Sequence, residues 1–283
     1  MADPGPAGRT IATAESLAAT LSPLLLAAQR LAASTAPGRH GRRRAGAGEQ
    51  FWQYRDVRDG DSLRAIDWRR SARGDRLYVR EREWESVETL VLDIEDHPGM
   101  RWGSARGRET KWERAVLLGL AVAALAFEGG ERVALFGRMQ PVGGPGALAR
   151  LAAGLALPTT AKPVAGRLAL FGDFLDEPGL IAADLASRGA TERGGVLVQV
   201  LDPAECDFPY RGRVLFDGAA SEKPEDIARA EDIANAYHAR LTAQRDAVVA
   251  AAEAARLIPI FHRTDAPPGP ALAAIRAALE PVA

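Results

Sequence analysis

The chain contains a single cysteine, Cys206, among 283 residues. One thiol excludes an intramolecular disulfide, leaves no cysteine cluster for a structural zinc, and is compatible with a reducing compartment. Histidine is nearly as scarce. His40, His97, His238 and His262 show neither i,i+4 pairing nor a His-Glu-x-x-His motif, so no histidine-based metal centre is legible. Long apolar runs are missing too: Leu17 to Ala28, the most apolar stretch, spans about half the ~20 residues of a membrane-crossing helix and is interrupted by Thr20, Ser22 and Pro23. No basic leader with a small-residue cleavage site is readable, and the expectation is a cytoplasmic protein without a membrane span. A large excess of either charge is also lacking, and a net charge of −1 argues against a dedicated nucleic-acid binder.

What the chain does have is apolar material for a sizeable core, 47% of its residues. Its charge is unevenly spread: residues 39–86 hold thirteen arginines against nine carboxylates, leaving a surplus of acid elsewhere. Ser22-Pro23 reads as an N-cap and first helical position, predicting a helix over Pro23 to Ala33 preceded by a short one from about Ala14. Pro37 to Gly48, with Arg39, Arg42, Arg43 and Arg44, reads as a linker. From Val87 the pattern alternates. Strands are predicted at Val87–Asp93, Arg132–Phe136, Arg167–Phe171, Gly195–Leu201 and Leu257–Phe261. Helices are predicted at Lys111–Phe127, Leu148–Leu155, Glu177–Ser187, Leu272–Leu279 and, opened by Pro224 with Glu225 and Asp226 in its first turn, a long one to about Ala254. Pro209 to Phe216 reads as extended. Such alternation predicts an α/β fold with a doubly wound, mostly parallel sheet covered by helices on both faces. The expected division is residues 1–48 as helices and linker, 49–86 as a small β module, and 87–283 as the α/β domain.

The segment from Gly48 to Arg80 interleaves charge, aromatics and turn residues. Phe51, Trp52, Tyr54, Trp68 and Tyr78 call for a buried surface, and the charged residues between them call for partners. Charge-assisted pairs of Asp61, Arg64 and Asp67 with one another or with Arg55, Arg69 and Arg73 would fix the module's shape, with Trp68 and Tyr78 packed beneath them. Alternatively, its Arg55, Arg58, Arg64, Asp67 and Arg73 form a docking face. Gly60-Asp61, Arg64-Ala65-Ile66-Asp67-Trp68 and Ser71-Ala72-Arg73 fall in an order and spacing that resemble the signature of the bacterial "domain of unknown function fifty-eight" family. That resemblance implies a following von Willebrand factor A-like domain. It further implies a non-enzymatic accessory protein that works with MoxR-type AAA+ ATPases and their client proteins.

In doubly wound sheets ligands bind beyond the carboxyl ends of the strands. Here the first such end carries Asp93-Ile94-Glu95-Asp96-His97. The resemblance implies a cation site built on Asp-x-Ser-x-Ser at this position, and the chain keeps Asp93 but has Glu95 and His97 in place of the hydroxyls. Asp93, Glu95 and a later strand-end carboxylate, Asp173, form the candidate metal set, with Thr159 or Thr160 as a source of hydroxyl. Replacing two neutral hydroxyls by a carboxylate and an imidazole changes the size and charge of a Mg²⁺ cage, so the site is expected to be degenerate and no cofactor is expected. Carboxylates clustered without a cation repel and need basic partners, for which Arg101 and Arg138 are candidates. Two other readings stay open. One is a divalent-metal-dependent protein-ligand binder; the other is a phosphate-directed hydrolase using Asp93 as nucleophile, as haloacid dehalogenase-like enzymes do. The chain lacks the Asp-x-Asp spacing, a Gly-x-Ser-x-Gly elbow and a phosphate-cradling loop.

Overall fold

A computed structural model describes residues 6–35, 51–57, 66, 68–72, 74, 76–82, 88–105, 107–188, 194–217 and 224–280. The chain divides into two compact units, residues 39–87 and the remainder on either side of them. The first helix, α1 (Pro6–Thr35), runs unbroken through Pro23, where the sequence predicts a helix start. An internal proline forfeits a backbone hydrogen bond and costs about 3 kcal/mol. Burial of Leu21, Leu24, Ala28 and Ala32 offsets that cost and overrides the local signal.

In the 39–87 unit, β1 (Phe51–Asp56) and β2 (Tyr78–Arg82) pair antiparallel, and a single-turn helix, α2 (Trp68–Ser71), lies between them in sequence. Ser71 is buried and its Oγ accepts a hydrogen bond from the Tyr78 backbone N–H at 3.0 Å. Trp68, expected beneath the charged residues, stands 58% exposed, whereas Ile66 is the apolar residue buried among those described in this unit. Arg58, Arg64, Asp67 and Arg73 lie outside the described residues. So do the side chain of Arg55, whose backbone is in β1, and the Pro37–Gly48 segment.

The larger unit continues with β3 (Thr89–Ile94), α3 (Lys111–Glu128), β4 (Arg132–Leu135), β5 (Met139–Val142), α4 (Ala147–Gly154), β6 (Arg167–Gly172), α5 (Pro178–Arg188) and β7 (Gly195–Leu201). It ends with α6 (Pro203–Asp207), β8 (Val214–Phe216), β9 (Glu225–Ile227), α7 (Ala230–Ala254), β10 (Leu257–Arg263) and α8 (Pro268–Leu279). Six strands form one sheet in the order β10-β7-β6-β3-β4-β5, parallel except for the β4–β5 pair. Edge strand β5 was not foreseen; its Pro141 is tolerated because an edge residue can do without a donor. The predicted long helix begins six residues later than its proline. Residues 225–227 instead pair with β8, where Arg213 grips Asp226 through Nε at 2.9 Å and Nη2 at 2.5 Å.

Two apolar layers cover the sheet. Leu90, Leu92 and Ile94 of β3 pack with α1, α3, α4 and α8, and Val91 packs on the other face with α5 and α7. Helix α3, apolar on nearly every side, is sandwiched within the first layer. Its Gly119 lets the two elements touch, since a Cβ there would stand 3.0 Å from Leu92 and Ile94. From β3 the chain winds outward through β4 and β5, then returns to β6 on the opposite side of β3. The winding reverses between β3 and β6, and the crevice beyond their carboxyl ends is the ligand position this topology favours. Among the described residues no helix is long and apolar enough to cross a membrane.

Candidate functional site

The crevice holds the strand-end carboxylates, but sorts them differently from their order in sequence. Asp93 follows Val91 on the α5 side by strand alternation and is gripped by Arg188, the last residue of α5, which also binds Asp184 at 2.7 Å. Burial pushes the Asp93 carboxyl up to about 6, against the pull of Arg188. Glu95 and Asp173 do converge, joined by His97: the imidazole Nε2 lies 3.8 Å from Glu95 Oε2 and 3.5 Å from Asp173 Oδ1. Of the expected metal set, Asp93 therefore stands apart and His97 takes its place. Thr159 packs beside Gly137 beyond β4, and both it and Thr160 are exposed.

Glu95 is positioned by its backbone N–H, which donates to Phe171 O at 2.9 Å, and by Gly172, whose missing side chain makes room for it. A Cβ on Gly172 would stand 2.0 Å from Glu95 Oε2. Asp173 is held from several directions. Its Oδ1 accepts from Leu175 N at 3.4 Å, its carbonyl from Gln199 Nε2 at 2.8 Å, and its Oδ2 from Lys111 Nζ at 2.8 Å. The next residue, Phe174, has φ 49°. That left-handed conformation, costing on the order of 1–3 kcal/mol for a bulky residue, is retained by burial of its ring and by Gln244 Nε2 donating to its carbonyl at 2.8 Å.

Lys111 is the residue that sequence reasoning missed. Only 1% exposed, its ammonium sits between Asp173 and Glu205, with Glu205 Oε1 at 2.5 Å. Two capping boxes place these groups. Thr110 and Glu113 exchange side-chain–backbone hydrogen bonds at the start of α3, making Lys111 its first helical residue. Asp202 and Glu205 do the same for α6, so that Glu205 caps with Oε2 and meets Lys111 with Oε1. Tyr237 Oη fixes the Glu205 carbonyl at 2.7 Å. The signals were present: Thr110-x-x-Glu113 and Asp202-Pro203-x-Glu205 are capping-box patterns. Lys111 is moreover one of three lysines in a chain that otherwise uses arginine, set at a helix N-terminus where the dipole disfavours it.

The anticipated counter-charges act elsewhere. Arg101 forms a bidentate pair with Asp96 at 2.8 Å on both arms and lies 3.6 Å over the Trp112 ring. Arg138 donates to the carbonyls of Leu155 and Leu157 and acts on Asp93 only at longer range. Burial raises the Glu95 carboxyl despite the opposing His97 contact, and that contact raises the His97 imidazole. Burial likewise raises Glu205 against the pull of Lys111. Along the same edge Arg114 Nη1 bonds His262 Nε2 at 2.9 Å and Ala266 O at 2.6 Å, while its Nε bonds Glu109 at 2.7 Å.

An imidazole where an oxygen ligand is needed is poor company for Mg²⁺, which demands near-octahedral oxygen at ~2.1 Å and dehydrates reluctantly. Mg²⁺ titrated calorimetrically into metal-free protein, to concentrations on the order of millimolar, is expected to give no saturable heat. Tight binding abolished by Asp93→Ala would restore an oxygen cage built on that residue.

No curated protein and no solved structure matches the chain. A family model, "Protein of unknown function DUF58", matches residues 53–247, from within β1 to within α7, taking in every carboxylate of the crevice while leaving α1, β10 and α8 outside. The chain belongs to the DUF58 family.

Proposed function

We propose that this chain is a non-enzymatic adaptor with a von Willebrand factor A-like α/β domain, and that it docks a MoxR-type AAA+ ATPase or that ATPase's client proteins. The observation that carries this reading is the surface around the crevice. Trp102 (39%), Leu175 (40%) and Leu180 (62%) stand exposed in the segments that follow β3 and β6. The same segments carry or flank carboxylates already gripped by Lys111 and Arg188. Exposed apolar residues beside a centre with no reacting pair suit protein docking. A nucleophile paired with an activating base, or a phosphate-binding loop, would have pointed to catalysis. The von Willebrand factor A-like assignment draws support from the mostly parallel six-stranded sheet and from carboxylates at the β3/β6 reversal.

The test is co-purification of the full chain with a MoxR-type ATPase from the same organism, with and without ATP, alongside assays for nucleotide and phosphate-ester hydrolysis. Complex formation without intrinsic hydrolysis is expected. Loss of the complex in Trp102→Asp/Leu180→Asp would put the interface at the crevice. Loss on replacing Arg55, Arg58 and Arg73 would put it on the hairpin unit. No complex in any nucleotide state overturns the adaptor reading, and hydrolysis abolished by Asp93→Asn would favour the hydrolase.

A further inference from the structure

We infer that Glu95, His97 and Asp173 form a binding site for a borderline first-row transition metal, with Zn²⁺ as its natural probe, independent of whether the chain is an adaptor. The three ligand atoms lie within 4.8 Å of one another. Tetrahedral Zn²⁺ with bonds of about 2.0–2.1 Å sets ligand atoms roughly 3.3–3.4 Å apart. Octahedral Mg²⁺ sets neighbouring ligands about 3.0 Å apart. The observed spacings from His97 Nε2, 3.5 and 3.8 Å, with the third within 4.8 Å, are nearer the tetrahedral value, and the cluster would contract to reach it. A mixed imidazole–carboxylate donor set selects the same class of ion.

Charge balance points the same way. With the His97 imidazole neutral, as a metal ligand must be, Glu95, Asp173 and Glu205 set three carboxylates against the single ammonium of Lys111, a surplus of two negative charges. Arg188 bonds Asp93 and Asp184 and acts on Glu95 only at longer range. A bound dication closes the account.

The surroundings are those of a supported site. Asp173 offers Oδ1 towards the ion while Lys111 holds Oδ2, the outer contact that orients a ligating carboxylate. Gln199 is 1% exposed and is the register neighbour of Gly172, over which Glu95 lies. Its Nε2 donates to the Asp173 carbonyl, and its Oε1 has no partner among the described residues. That buried acceptor, on the amide that holds Asp173, lacks a donor, and a metal-bound water would be one. His97, 40% exposed, gives the ion a way in.

The experiment titrates chelator-stripped, dialysed full-length protein with Zn²⁺ by calorimetry and with Co²⁺ by visible absorption. One equivalent is expected, with the intense bands of tetrahedral Co²⁺ and no competition from Mg²⁺. His97→Ala and Glu95→Gln should each weaken binding at least as much as the roughly 10–100-fold lost when a supporting contact is removed. Gly172→Ala deletes no ligand but drives the Glu95 carboxylate aside, so it should lose about 10–100-fold as well. Circular dichroism on each variant confirms the fold. Absence of stoichiometric binding overturns the site. So does affinity that survives both His97→Ala and Glu95→Gln, which would place the ion on other groups such as His238 or Cys206.

Discussion

Replacing Lys111 by methionine is expected to remove about 3–5 kcal/mol of unfolding free energy. The side chain is 1% exposed and is the cation within bonding distance of both Asp173 and Glu205, at 2.8 and 2.5 Å. Methionine fills the volume, so packing is nearly conserved and the loss isolates the charge. Two carboxylates then remain in a site where burial already raises the Glu205 carboxyl. Adding Asp173→Asn to the methionine variant should recover part of the loss, because it withdraws one stranded charge. Denaturant unfolding measures both. A single-variant loss below about 1 kcal/mol would mean that the ammonium is no better placed than one on an exposed surface.

Acid should weaken the fold through His262. Burial, and then Arg114 beside it, lower its imidazole from 6.5 to about 4. Arg114 donates and cannot accept, so His262 must stay neutral to receive its hydrogen bond at 2.9 Å. The unfolded chain takes up a proton near pH 6.5 that the folded chain refuses until about pH 4. This contribution is therefore complete above pH 6.5 and is lost as the pH falls through that window, by about 3 kcal/mol in all. Asp93 and Glu95, whose folded carboxyls are raised, work in the opposite sense, so the informative quantity is the difference between wild type and His262→Gln. Glutamine keeps an acceptor without the titration. Its stability should fall less steeply than wild type between pH 6.5 and 4, and parallel curves would remove His262 from the account.

The sheet was readable because buried parallel strands are continuous apolar runs between helices of obvious period. Gly195–Leu201 was placed to the residue, and the strands of β3, β6 and β10 were found within two residues at each end. What failed were places where distant contacts outvote local chemistry. Pro23 is a good helix start until Leu21 and Leu24 find a buried surface on both sides of it. Pro224-Glu225-Asp226 looks like a first helical turn until Arg213 and β8 recruit it as a strand. The meeting of Glu95 and Asp173 was legible, since strand-end carboxylates need only the strands. The ion pairs around them were not. Lys111 precedes Asp173 by 62 residues and Arg188 follows Asp93 by 95, separations over which charge complementarity in sequence gives no preference for one arginine over another.

Helix α1 belongs to the same compact unit as residues 88–283, although residues 39–87 fold between them as a unit of their own. For a chain emerging from the ribosome this imposes an order. The first helix appears with Leu21, Leu24, Ala28 and Ala32 uncovered, and the apolar surfaces of α3 and α8 that contribute to its burial are not yet made. Residues 39–87 can fold in the meantime because their hairpin pairs within itself. Docking α1 across that insertion adds a loop-closure cost of only a few kcal/mol, about (3/2)RT ln n plus a constant, but the wait leaves an apolar helix exposed during synthesis. The delay sets a kinetic hazard that final stability does not reveal.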